Sequence, residues 1–146
     1  MKIAVIRMHG KFSLSPKMRR TLEVLMLSRL YTCTLLPENP TSRGMLQCCK
    51  DVVAYGDIDE QAVSLLLQRR GYTSEGKKLS ASKKPEEIAK IAKEYYSSVK
   101  KLTEFGVRPT FFLSPPKGGF GSRKEQAPLG PLGKNLDMAK LIERMA

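Results

Sequence analysis

The chain predicts an α+β fold, and three observations carry that expectation. Short β-branched apolar runs alternate with segments whose apolar residues recur at helical spacing, in the order β-α-β-α-β over the first 57 residues. Proline and hydroxyl residues stand where the helices should begin. At 146 residues and 41% hydrophobic composition, the chain can bury a core as one domain, or as one domain with an appendage. Short helices packed on one face of a mainly antiparallel sheet satisfy that order.

The run "KIAVIRM" (2 to 8), bounded by "HGK", reads as a buried strand. A helix over 15 to 30 takes Ser15 as N-cap and Pro16 at its first position. There Met18, Leu22, Leu25 and Met26 form the apolar stripe, and Lys17, Arg20 and Glu23 fall away from it. "YTCTLLPEN" (31 to 39) is a second strand, stopped by Pro37. Pro40, Thr41 and Ser42 start a short helix, and "DVVAYGD" (51 to 57) is a third strand. The next helix begins at Asp57, with Glu60 three residues on, and ends at Gly71.

A polar stretch follows to residue 84. Pro85 then opens the longest helix, striped by Ile88, Ile91, Ala92, Tyr95, Val99 and Leu102 and closed by Gly106. Residues 108 to 116 read as extended. A last helix places Met138, Leu141, Ile142 and Met145 on one side. The expected organisation is a core domain over 1–73, a polar linker over 74–84, and a C-terminal helical and extended subdomain over 85–146.

Charge narrows the function. There are 26 Lys plus Arg against 14 Asp plus Glu, a net charge of +12. That excess points to a polyanionic partner. It is uneven: residues 1–50 carry +7, residues 51–70 carry −2, residues 71–113 carry +4 and residues 114–146 carry +3. Apolar runs such as "VSLLL" are too short to cross a bilayer, and the N-terminus lacks the pattern of a secretory leader. The protein is expected to stay in the cytoplasm, where it is made.

Catalytic chemistry needs a constellation that this sequence does not supply. There is no GxxxxGK[ST] phosphate loop and no GxSxG elbow, and His9 is the only histidine. Cys33, Cys48 and Cys49 lack zinc-ligand spacing and read as free thiols. No enzyme, metal, cofactor or small-molecule substrate is expected.

The cations cluster in a way that suits RNA. Arg7, Lys11, Lys17, Arg19 and Arg20 fall within fourteen residues around the first strand-to-helix connection, where free helical N–H groups also suit phosphate oxygens. Thr41, Ser42, Arg43 and Gly44 repeat the arrangement at the second helix start, with a glycine that permits close backbone approach. The tract "SPPKGGFGSRKEQAPLGPLGKN" (114 to 135) cannot fold by itself. It carries Lys117, Arg123, Lys124 and Lys134, which a passive linker does not need, and reads as a basic arm ordered on RNA. Phe120 within it either stacks on a base or folds back on the domain. The central strands are aliphatic, with Tyr55 the main exception, so the chain reads as a binder of shape and phosphate rather than of bases. A non-ribosomal RNA-binding or RNA-chaperone module is the alternative reading.

"CTLLPENPTSRGMLQCCKDVVAYG" (33 to 56), with the preceding "SPKMRRTLEVLMLSRL", resembles the L30 family of large-subunit ribosomal proteins. "RPTFFLSPPKGGFG" (108 to 121) resembles the extended archaeal branch of that family, whose eukaryotic relatives are named L7. The resemblance implies a small ferredoxin-like β-α-β-α-β core with a three-stranded antiparallel sheet, plus a C-terminal subdomain. It further implies a structural role in the large ribosomal subunit, with large-subunit ribosomal RNA and neighbouring ribosomal proteins as partners and a place near the 5S RNA attachment region. Arg43-Gly44-Met45 matches the family's RGM element, and Lys117-Gly118-Gly119 matches its basic glycine turn.

Overall fold

A computed structural model describes residues 2–10, 12, 14–98, 100–122 and 125–146. In chain order the elements are β1 (Lys2–Arg7), α1 (Pro16–Val24), β2 (Thr32–Pro37), α2 (Pro40–Cys49), β3 (Val53–Asp57) and α3 (Glu60–Arg70). They continue with α4 (Leu79–Ser82), α5 (Pro85–Ser97), a 3-10 turn (Leu102–Phe105), β4 (Thr110–Phe112), β5 (Gly133–Lys134) and α6 (Met138–Met145).

The sheet has five strands, not three, in the order β4-β2-β1-β3-β5. Its middle is the antiparallel β2-β1-β3 trio, with Val5 opposite Thr34 on one side and Tyr55 on the other. β4 adds to β2 antiparallel, and β5 adds to β3 in parallel. Two late segments thus pair the outer edges of the trio. An unpaired edge in a sheet this small leaves a row of unbonded amides.

The helices cover both faces of the sheet rather than one. Side chains alternate along β1, so Ile3 and Val5 face one way and Ala4 and Ile6 the other. Ile3 and Val5 pack with Leu22, Leu25 and Leu27 from α1 and the turn after it, and with Leu46 and Cys49 of α2. Ala4 and Ile6 pack with Val63, Leu66 and Leu67 of α3, Ile88, Ala92 and Tyr95 of α5, and Met138 and Ile142 of α6. Every residue of β1 is buried as a result. Burying one such aliphatic side chain contributes about 1.5–3 kcal/mol.

Two helices are shorter than their periodicity predicts. α1 ends at Val24 because Met26 turns into the left-handed region (φ 57°) and the Leu27 amide bonds back to the Leu22 carbonyl. That turn drops Leu27, fully buried, into the core beside Leu22. α5 ends at Ser97, and Leu102, expected at its end, lies instead in the 3-10 turn. Val99, also expected in its apolar stripe, lies outside the described residues. The polar stretch before α5 is pinned by Leu79 of α4, which is fully buried, and by bridges from Tyr72 to Lys78 and from Thr73 to Val107.

Candidate nucleic-acid interface

The expected cations fall into two groups: those used inside the fold and those left outside it. Arg7 belongs to the first and is only 4% exposed. Its Nη1 donates to the Leu27 and Ser28 carbonyls at 2.7 and 3.3 Å, Nε to the His9 carbonyl at 2.8 Å, and Nη2 to the Gly10 carbonyl at 3.0 Å. Burial lowers its pKa, but these bonds keep a guanidinium charged. Arg7 therefore ties the loop after β1 to the turn after α1 and presents no cation outward. Lys2 behaves similarly, a role the sequence did not signal. Its ammonium donates to the Ser98 carbonyl at 2.9 Å and sits 4.5 Å from the centre of the Tyr95 ring.

Outward cations begin on α1. Ser15 caps the helix by accepting from the Met18 amide, and Pro16 occupies the first turn, where its missing N–H is harmless. Lys17, Arg19 and Arg20 are exposed, and none has an ion-pair partner among the described residues. Lys17 and Arg20 line a shallow groove with Val24 of α1 and Met45 of α2.

α2 starts without a side-chain cap on Asn39 and without an acid in its first turn, so its end keeps its partial positive charge. Thr41 is exposed, Ser42 is buried, and Arg43 is exposed. The Arg43 guanidinium donates to the Glu38 carboxylate, and that bond holds Glu38 below the usual carboxylate range. Gly44 is helical, and apart from its own helix turn no atom of the described residues lies within 4 Å of where a Cβ would sit. Nothing inside the chain calls for glycine there, although glycine costs a helix about 1 kcal/mol relative to alanine.

The glycine–proline tract is buttoned to the body. Lys117 is exposed, but its amide donates to the Arg144 carbonyl at 3.1 Å. Arg144 returns bonds from Nε to the Lys117 carbonyl (3.0 Å) and from Nη2 to the Gly119 carbonyl (2.6 Å). Gly118 and Gly119 both take positive φ, 83° and 71°, to make that turn. Phe120 folds back, half-buried, with its ring centre 6.3 Å from that of Tyr31. Further on, Gln126 donates to Asp51, and the Asn135 amide donates to the Tyr55 carbonyl. The crossing at β3 is tight enough that a Cβ on Gly56 would lie 2.1 Å from the Asn135 carbonyl oxygen. This crossing puts Lys134 into one cleft with Glu38, Arg43, Tyr55 and Asp57. Arg43 and Lys134, far apart in sequence, thus meet. Lys11, Arg123 and Lys124 lie outside the described residues.

Nothing among the described residues groups three metal-ligating side chains. Burial pushes the Cys33 thiol up to about 12 and Cys49 up to about 11, so neither is an available nucleophile near neutral pH. Among the described residues, no helix is long and apolar enough to cross a membrane.

Exposed cations on short helices, backed by a sheet packed on both faces, define a basic scaffold protein that presents charge. Comparison with known proteins specifies which kind. The family model described as ribosomal protein L30p/L7e matches residues 3–53. The chain is 38% identical to large ribosomal subunit protein uL30 of Archaeoglobus fulgidus, over 89% of this chain and 90% of that one. It is 34% identical to uL30 of Methanothrix thermoacetophila, over 97% and 98% of the two chains. It is 35% identical to uL30 of Korarchaeum cryptofilum, over 98% and 94%. The chain belongs to the L30p/L7e family of ribosomal proteins, in its archaeal-type form, a family of structural rather than enzymatic proteins.

Proposed function

We propose that the protein is a structural constituent of the large ribosomal subunit that binds and stabilises large-subunit ribosomal RNA, in the cytoplasm, close to where 5S RNA attaches and against neighbouring ribosomal proteins. Its similarity to archaeal large ribosomal subunit proteins supports the assembly. The observation that carries RNA binding is the convergence of Arg43 and Lys134 on one cleft at the start of α2. Arg43, already bonded to Glu38, and the exposed Lys134 face a common space with the carboxylates of Glu38 and Asp57, and phosphate binds there by taking the place of Glu38 on Arg43.

The proposed contacts are Lys17, Arg19 and Arg20 on α1; Thr41, Arg43 and Gly44 at α2; Lys134; and the Lys117-Gly118-Gly119 turn, whereas Ser42, expected among them, is buried like Arg7 and drops out. Lys11, Arg123 and Lys124 complete the set on sequence grounds. Open space over Gly44 supports a close approach by an outside backbone. The division of the chain is proposed as one of labour. Residues 1–73 carry the α1 and α2 contacts, 74–84 connect, and 85–146 complete the second face begun by α3 and send the arm across.

Sedimentation tests the assembly. The protein should travel with large subunits in about one copy each and stay through a moderate salt wash; loss or substoichiometric occupancy overturns it. Crosslinking in the isolated subunit tests the 5S placement separately, and crosslinks confined to sites remote from 5S RNA would remove that part alone.

A further inference from the structure

A second cleft adjoins α1. Leu14, Leu22 and Leu27 line it together with Phe12, Arg19, Glu23, Ser28 and the carbonyl-bound Arg7. Leu22 and Leu27 are core residues, 2% and 0% exposed, so its apolar floor is fixed. Phe12 is 87% exposed, although it is one of five phenylalanines in the chain and Phe111 is wholly buried. The packing does not use its ring. Arg19 and Glu23 are exposed beside it, and neither has an ion-pair partner among the described residues.

We infer that this cleft takes one unpaired guanine of an RNA strand. Phe12 stacks on the base, Arg19 neutralises its phosphate, and Glu23 reads its edge. The inference rests on the RNA-binding reading above and deepens it. Charge favours this occupant: the chain carries +12, and a cation flanks the apolar floor, so a planar group attached to an anion fits better than an acidic or a purely apolar peptide. Glu23 selects the base, because an ionised carboxylate only accepts hydrogen bonds. Guanine alone offers two adjacent donors, N1–H and the 2-amino group, on its Watson–Crick edge. Adenine and cytosine set a donor beside an acceptor, and uracil sets one donor between two acceptors.

The test titrates the isotope-labelled full chain with the tetranucleotides UUGU, UUAU and UUIU, the inosine strand lacking the 2-amino group. UUGU should shift the Phe12, Leu14 and Glu23 resonances and bind at least about tenfold tighter than UUAU, with UUIU between them. Phe12→Ala should lose both the base preference and most of the affinity, whereas Phe12→Trp should keep both. Glu23→Gln should keep binding but bring UUGU and UUAU to within about threefold. Both side chains are exposed, and a thermal melt confirms that the variants fold. Equal binding by all three strands, shifts confined to Lys17 and Arg20, or no binding at all would overturn the guanine cleft. If Phe12→Ala is silent while the chain still binds a large-subunit RNA fragment, only the cleft fails. If that fragment does not bind either, the parent reading fails with it.

Discussion

The sheet face under α1 and α2 and the face under α3, α5 and α6 are both dry, but they differ in depth and in charge. Among the described residues, the first face gathers nine buried apolar side chains and the second twenty-one. The covering helices invert that order. α1 and α2 hold four cations and one acid, whereas α3, α5 and α6 hold six cations and five acids. The deep face supplies cohesion behind nearly balanced helices. The thin face carries unbalanced charge, whose self-repulsion the other side must offset. Stability and the proposed binding are thus assigned to opposite sides of one sheet.

The largest effect should come from the deep side. Phe111→Ala, at a fully buried position, should lower the unfolding free energy by about 3–5 kcal/mol in chemical denaturation. If Leu46→Ala under α2 proves costlier, the two sides are misassigned. Arg7→Ala comes next. It leaves carbonyls of both loops without their donor and should cost roughly 2–4 kcal/mol, while the salt dependence of RNA binding stays unchanged. A shallower salt slope would mean that Arg7 reaches phosphate after all.

Arg43→Ala and Lys134→Gln should do the reverse. Each should reduce the slope of log affinity against log salt by about 0.7–0.9, with stability within about 0.5 kcal/mol of the parent. Unchanged slopes would detach the α2 cleft from binding. Gly44→Ala sharpens the contrast at a single atom. It should stabilise the free protein by up to about 1 kcal/mol and weaken RNA binding, and tighter binding would show that nothing approaches that helix closely. The smallest effect is chemical. With burial raising its pKa to about 12, Cys33 has almost no thiolate at pH 8 and should resist alkylation until the protein unfolds.

The elements most legible in the sequence were those with both a periodic stripe and a start signal. Ser15 with Pro16, and Pro40 with its hydroxyl neighbours, marked two helices within a residue of where they begin. β5 was hidden because Gly133 and Lys134 carry no strand signal; they pair only because the arm reaches the free edge of β3. The end of α1 was hidden for a different reason: burial of Leu27 overrode a stripe that continued to Met26. Within the site, exposure of Lys17 and Arg20 followed from their place off that stripe. The inward turn of Arg7 did not, because its partners are backbone carbonyls, which every residue possesses. The meeting of Arg43 with Lys134 depends on Gly56 lacking a side chain, a condition visible only once the crossing is known.

The fastening of the arm by Arg144 has a thermochemical consequence. A loose tether would have to be reeled in at each encounter, and its condensation would appear as a large negative heat-capacity change of docking. An arm already buckled at Lys117 and Gly119 brings that ordering with it. Calorimetry of the protein joining its RNA should therefore register little beyond the contact surface itself, and cutting the buckle with Arg144→Ala should make the missing heat capacity appear.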